Sequence, residues 1–196
     1  MSIDPVKTCP PNASAAQFVA PVGVERVTLR RASAEDAAML GLVGAATFLE
    51  AFTWALPGAD IVDFCAKHHT TEAYARYLAK PGTRITIAVT GQDAPVGYVM
   101  LCTPDLPGFD LLPTDVELKR IYLFSRYRAG GNGQRLMDAA MTDALKMKAK
   151  RLLLGTHANN DKAIAFYRRN GFSEVGTRTF TVGAQICCDL IFGKAL

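Results

Sequence analysis

The chain has 196 residues, a net charge of +4 and 49% hydrophobic residues, a balance typical of one soluble globular domain. Its basic residues are too few and too scattered for a nucleic-acid module, and no run of about 20 apolar residues predicts a membrane span. Five cysteines, an odd number, favour a reducing compartment over a disulfide framework, so we expect a cytoplasmic protein.

Residues 1–25 are rich in proline and small polar residues, and they lack the basic start and apolar run of a signal peptide. We expect a flexible tail here, followed by a single domain over residues 26–196.

The hydrophobic pattern predicts seven strands and five helices. A strand at 27–30 precedes a helix that Ser33 caps and that ends at Phe52, with Met39, Leu42, Val43 and Phe48 on its apolar face. The later elements are helices at 60–68 and 71–78, strands at 83–90, 95–102 and 115–124, a helix at 132–148, a strand at 151–156, a helix at 161–169, and strands at 173–180 and 185–192. This order predicts an α/β fold in which helices flank one mixed sheet, partly antiparallel and partly parallel.

A glycine-rich loop between the 115–124 strand and the following helix is the most informative segment. Gly130, Gly131 and Gly133 let the backbone turn tightly, the helix that follows offers unpaired N–H groups, and Arg126 and Arg128 add positive charge. Together these features predict a site for an anion such as a pyrophosphate.

Two other phosphate-binding loops do not fit this segment. A P-loop requires Lys followed by Ser or Thr after its last glycine, whereas Gln134 and Arg135 stand here. A dinucleotide-binding fingerprint requires a small residue where Leu136 stands.

Arg128-x-x-Gly131-x-Gly133 resembles the acetyl-CoA pyrophosphate loop of the GNAT superfamily of N-acetyltransferases. The segment from Asn160 to Tyr167, followed by Gly171-Phe172, is similar to that family's second signature, and the resemblance covers the chain from Val27 to its C-terminus. It implies that Arg128, Ala129, Gly130, Gly131, Asn132, Gly133 and Gln134 bind acetyl-CoA. Ala129 and Asn132 depart from the usual residues, but neither removes a backbone donor.

The resemblance also implies a splayed central strand. Alternation along 115–124 is imperfect, and a bulge near Lys119 and Arg120 would reconcile its two halves. By resemblance, the main chain of Ile121, Tyr122 and Leu123 pairs with the pantetheine arm of the cofactor.

Two side chains are candidates for acid–base catalysis. Glu117 can accept the proton that an ammonium substrate must lose before its nitrogen attacks, although a Glu beside Lys119 and Arg120 is also often a paired surface charge. Asn160 is a good helix N-cap, and the family's Asn here also contacts the cofactor. Tyr167 follows seven residues later on nearly the same helix face. The resemblance implies that Tyr167 binds the cofactor and protonates the leaving thiolate, whereas the alternative role is aromatic packing.

The acceptor is less well defined. Segments 47–52 and 180–183 resemble the bacterial spermidine/spermine acetyltransferase branch, which suggests a small polyamine-like amine attacked directly in a ternary complex. Acidic residues that could receive such a substrate are Glu50, Asp60, Asp63, Glu72 and Glu117. Protein N-terminal or lysine acetylation, and a catalytically weak CoA-binding regulatory protein, remain alternatives. We expect no metal, no nucleic-acid or membrane partner, and the C-terminal strands leave a homodimer open.

Overall fold

The computed structural model describes residues 26–182 and 185–196, so the tail expected over residues 1–25 lies outside the described part of the chain. The strands are β1 (Thr28–Arg31), β2 (Arg84–Val89), β3 (Pro95–Cys102), β4 (Asp115–Leu123), β5 (Arg151–His157), β6 (Ser173–Val182) and β7 (Gln185–Ala195). The helices are α1 (Ala37–Phe52), α2 (Gly58–His68), α3 (Thr71–Ala79), α4 (Asn132–Lys146) and α5 (Asp161–Arg169).

The seven strands form one sheet in the order β1-β2-β3-β4-β5-β7-β6. Neighbouring strands are antiparallel except β4 and β5, which run parallel because α4 connects them. The predicted mixed α/β fold is therefore confirmed. No helix in the described part of the chain is long and apolar enough to cross a membrane.

Helices cover both faces of the sheet. Leu136 and Met137 of α4 are fully buried in a cluster with Leu152 of β5, while Leu40 and Val43 of α1 are buried against β2 and β3 on the other face. One prediction for α1 is wrong: Leu42 is 68% exposed rather than buried. It lies about 200° around the helix from Leu40, so both cannot face the sheet.

A bulge in β4 is confirmed at Lys119. Met100 of β3 pairs with Arg120, and the next residue, Leu101, pairs with Leu118, so Lys119 is an extra residue in the strand. The bulge places Leu118 in the same buried cluster as Leu123, whereas Tyr122 packs against clusters on the α1 side.

The pairing between β4 and β5 ends early. The parallel register runs only from Asp115 to Glu117, opposite Arg151 to Leu153, although both strands continue beyond it. From Leu118 onward, β4 therefore has a main-chain edge that β5 does not pair.

Candidate active site

A cavity of about 840 Å³ lies where β4 and β5 diverge. Its wall contains β4 from Glu117 to Leu123, parts of the glycine loop, and residues of α1, α5, β6 and β7. One continuous space thus joins the free edge of β4 to the predicted anion site.

The glycine loop has the conformation that its sequence requires. Gly130 and Gly131 both have φ of 76°, in the left-handed region that disfavours a side chain, and Gly131 is the N-cap of α4. A Cβ added at Gly131 or Gly133 would have no atom within 4 Å. The backbone there faces open space, beside N–H groups at the start of α4 that have no partner within the helix.

Arg128 is held in place beside this loop. Its Nε donates to the carbonyl oxygen of Leu123 at 3.0 Å, and its Nη2 lies 3.5 Å from Oε2 of Glu50. Glu50 also accepts hydrogen bonds from the backbone N–H and hydroxyl of Ser125. These contacts join the end of β4, the loop and α1 at the cavity.

Only part of the predicted loop lines the cavity. Arg128, Gly131, Gly133 and Gln134 do so, whereas Ala129, Gly130 and Asn132 are not among the residues on its wall. The Asn132 side chain is buried, donates to the carbonyl of Tyr127 at 3.0 Å and accepts from Arg135 at 2.9 Å. Asn132 therefore closes the loop with its side chain.

On β4, all three residues expected to pair with the cofactor, Ile121, Tyr122 and Leu123, line the cavity. The ring of Tyr122 is packed by the edges of Phe48 and Phe52, and burial raises the pKa of its hydroxyl. Tyr122 therefore shapes the cavity as a neutral aromatic side chain.

The Glu117 carboxylate is buried on the cavity wall, with 2% of the residue exposed. Its Oε2 accepts the backbone N–H of Asp105 at 2.8 Å and lies 3.6 Å from Nζ of Lys119. Burial would lower the pKa of Lys119, but the negative charges near it, Glu117 first among them, raise it on balance. The two contacts compensate the burial of a carboxylate and hold it in one orientation.

Tyr167 and Asn160 lie on α5 and both line the cavity. Oδ1 of Asn160 accepts the backbone N–H of Ala163 at 3.3 Å, which confirms its role as N-cap. Burial raises the pKa of Tyr167, whose ring packs against Phe166, Phe172 and Phe192. Because its pKa is raised, that hydroxyl keeps its proton at neutral pH, and no described residue forms a hydrogen bond with it.

Sequence reasoning missed a charged pair on the cavity wall. Arg178 of β6 donates to Oδ2 of Asp189 of β7 from Nη2 at 3.0 Å, and both residues line the cavity. Burial, more than any other influence, raises the pKa of Asp189. The hairpin register, which aligns Val182 with Gln185 and hence Arg178 with Asp189, was a signal that could have predicted this pair.

Of the five acidic residues expected to receive the acceptor, only Glu117 lines the cavity; Asp105 and Asp189 line it as well. Within residues 26–182 and 185–196, no group of three or more His, Cys, Asp or Glu side chains could hold a metal ion.

Comparison with known proteins agrees with this geometry. The sequence pattern of the Acetyltransferase (GNAT) family matches residues 48–172, well over half of the chain. The chain belongs to the GNAT acetyltransferase family. It is accordingly an acetyl-CoA-dependent acyltransferase.

Individual relatives support the assignment. An uncharacterised N-acetyltransferase of Mycobacterium tuberculosis is 34% identical to this GNAT chain. The alignment covers 82% of this chain and 98% of that relative. The PaiA N-acetyltransferase from Thermoplasma acidophilum, solved with coenzyme A, has a TM-score of 0.70 at 19% identity and covers 87% of this chain and 99% of its own, which supports the fold. A ribosomal-protein-alanine N-acetyltransferase from Brucella melitensis has a TM-score of 0.62 at 26% identity and covers 86% of this chain and 99% of its own.

Proposed function

We propose that the protein acetylates the primary amine of a small molecule, by direct attack of the amine in a ternary complex with acetyl-CoA. The observation that carries this proposal is that one cavity joins the glycine loop, the unpaired edge of β4, and the side chains of Glu117 and Tyr167.

The residues present fit acetyl-CoA. Open space in front of Gly131 and Gly133 leaves room for phosphate oxygens, and Arg128 and Gln134 stand beside them. The edge of β4 at 121–123 offers main-chain groups, and Asn160 lies across the cavity. When bound, acetyl-CoA supplies the acetyl group as an activated thioester.

Glu117 and Tyr167 would move the protons. Oε1 and Oε2 of Glu117 can accept a proton from the ammonium group of the acceptor, directly or through water. Oη of Tyr167 holds a proton at neutral pH and can donate it on the side where the thiol is released. The proposal assigns the base to β4 and the acid to α5.

The cysteines support direct attack rather than transfer through the protein. Cys187 lines the cavity, but burial raises the pKa of its thiol. Burial and the nearby Glu117 raise the pKa of Cys102 to about 12. Neither thiol is a ready nucleophile at neutral pH, because the thiolate is the reactive form.

A polyamine-like acceptor is the class that the sequence resemblance favours. The carboxylates of Asp105, Glu117 and Asp189 on the cavity wall support the entry of an ammonium group. Acetylation of a protein amine is a second candidate, favoured by the 26% identity to the Brucella enzyme.

The test is calorimetric titration with acetyl-CoA, followed by thiol release with a panel of amines and a protein substrate. Absence of micromolar binding would refute the proposal. Binding without turnover on any acceptor would favour a CoA-binding regulatory protein. Mass spectrometry of the protein after incubation with acetyl-CoA alone should show no acetylated residue in the cavity.

A further inference from the structure

Arg120, next to the bulge of β4, is a buried cation to which the described residues supply no anionic partner. The residue is 8% exposed and lines the cavity. Its Nη1 is buried and has no hydrogen-bond partner, and no carboxylate of a described residue forms an ion pair with it. Its guanidinium carbon lies 5.2 Å from the ring centre of Tyr77 and 5.5 Å from that of Tyr74.

The charges around Arg120 are positive. Lys119 precedes it, and the pKa of His68 is lowered by burial and then by the positive charges of Arg120, Lys67 and Lys119. The carboxylates of the cavity wall are engaged elsewhere: Glu117 and Asp105 lie within 3.6 Å and 3.5 Å of Nζ of Lys119. Asp189 pairs with Arg178 at 3.0 Å.

A buried guanidinium is costly unless something compensates its charge. The ring faces of Tyr74 and Tyr77 compensate part of the charge of Arg120. The Tyr74 hydroxyl also interacts with Arg120. Nη1 of Arg120 still has no hydrogen-bond partner, and the planar donors of arginine match an oxyanion such as a carboxylate. Within residues 26–182 and 185–196, Arg120 therefore lacks one anion to compensate its charge.

That anion does not come from the cofactor site. The glycine loop lies at the start of α4, on the face of the sheet that α4 covers. Arg120 contacts the rings of α3 on the other face. The same side of the cavity has an apolar wall that includes Phe48, Phe52 and Phe64.

We propose that the acceptor amine carries an oxyanion, a carboxylate first of all, which binds Arg120 while an apolar body lies against the phenylalanines. This inference rests on the proposed function and narrows it, because it favours amino acids and similar amino-oxyanions over bare polyamines.

The first experiment uses the unmodified protein. Thiol release is measured with apolar amino acids, with aminoalkylphosphonates, with the uncharged amide or ester of each, and with spermidine. We expect kcat/KM for the best oxyanion acceptor to exceed that of its uncharged counterpart by roughly 10- to 100-fold, as one charge-assisted hydrogen-bond pair allows. If the amino acids show the larger ratio of kcat/KM to their uncharged counterparts, the oxyanion is a carboxylate. If the aminoalkylphosphonates show it, the oxyanion is a phosphonate.

Two results would overturn the inference while leaving the proposed function intact: uncharged amines acetylated as well as their acidic counterparts, or spermidine as the best acceptor. Failure of every amine to be acetylated would instead remove the proposed function itself. As a further check that needs no variant, 3-phenylpropionate should inhibit competitively against the acceptor and not against acetyl-CoA.

Variants then assign the effect to one residue. Arg120→Gln should raise KM for the acidic acceptor roughly 10- to 100-fold while the affinity for acetyl-CoA and the turnover of the uncharged amide stay unchanged. Arg76→Gln, on the exposed side of α3, is the control and should change none of these three quantities. If Arg120→Gln lowered kcat/KM equally for the acidic acceptor and for the uncharged amide, Arg120 would have a purely structural role. If Arg120→Gln does not fold, the 3-phenylpropionate competition decides the question.

Discussion

The Glu117 carboxylate and the Lys119 ammonium lie 3.6 Å apart on either side of Leu118, just before the register of β4 shifts against β3. Residues two apart in a regular strand already share a face, and the bulge that follows places Arg120 and Tyr122 on the side of the sheet that α3 and α1 cover. One extra residue in β4 thus decides which side of the sheet Arg120 faces.

Replacement of Glu117 by Gln should lower kcat by about 100-fold or more, because the amide cannot accept the proton of an ammonium substrate. The affinity for acetyl-CoA, measured by calorimetry, should stay unchanged. Glu72→Gln, on the exposed side of α3, is the matched control and should retain full turnover. Normal activity of Glu117→Gln would exclude a base at this position.

Tyr167→Phe should lower kcat by about 100-fold while leaving stability nearly unchanged. The aromatic packing with Phe172 and Phe192 is kept, and the hydroxyl has no hydrogen bond to a described residue that the change would break. Tyr77→Phe, which also keeps its ring, is the control. If the thermal midpoint of Tyr167→Phe fell and its kcat did not, Tyr167 would be a packing residue.

Two glycines of the loop should respond in opposite ways to alanine. Gly131→Ala forces a side chain into the left-handed region and should cost about 1–2 kcal/mol in the free energy of unfolding. Gly133→Ala lies inside α4 and should stabilise the protein by about 0.5–1 kcal/mol. Urea unfolding of both variants checks this, and calorimetry shows whether either methyl group obstructs acetyl-CoA.

His69 should make the protein sensitive to acid. Its ring is buried, and burial followed by the charges of Arg120 and His68 lowers its pKa from 6.5 to about 3. The unfolded chain therefore takes up a proton below about pH 6.5 that the folded protein does not. Stability should be complete above that pH and fall by about 1.4 kcal/mol per pH unit as the pH drops from 6.5 towards 3.

The control for this pH dependence is His69→Gln, which keeps a polar partner for the hydroxyl of Tyr74. Urea unfolding of this variant at pH 4 to 7 should show a shallower slope than the parent protein. Parallel slopes would mean that other groups cause the acid sensitivity. The Asp36 carboxylate, whose pKa Arg30 lowers to about 2, loses its contribution only at lower pH.

The order of the elements could be predicted because each has a local signal: Ser33 and Asn160 as caps, the glycine loop as a break, and alternation in the strands. The bulge was also predictable, since no single face accommodates both halves of β4. The burial of Leu40 in place of Leu42 was not, because three consecutive turns of α1 are apolar on several sides and only the position of the sheet selects one.

Which charged residues line the cavity could not be predicted from the sequence in the same way. The charged residues near Arg120 in the sequence are typical of an exposed surface. Arg120 is buried because Tyr74 and Tyr77 of α3, a segment distant in sequence, pack against it. Asp105 belongs to a loop whose position depends on the Glu117 contact. Such features depend on contacts between distant segments.

The early separation of β4 from β5 has a consequence for how this protein and its relatives can diverge. A surface made of peptide groups offers the same hydrogen-bonding groups whatever side chains its residues carry. Substitutions in such a segment therefore affect binding only if they change the shape of the backbone. Ala129 can therefore replace a more usual residue without changing the backbone groups of the loop, whereas Asn132 acts through its side-chain hydrogen bonds with Tyr127 and Arg135. The acceptor side is built from side chains such as Arg120 and Phe64, so each substitution there changes which molecules can enter.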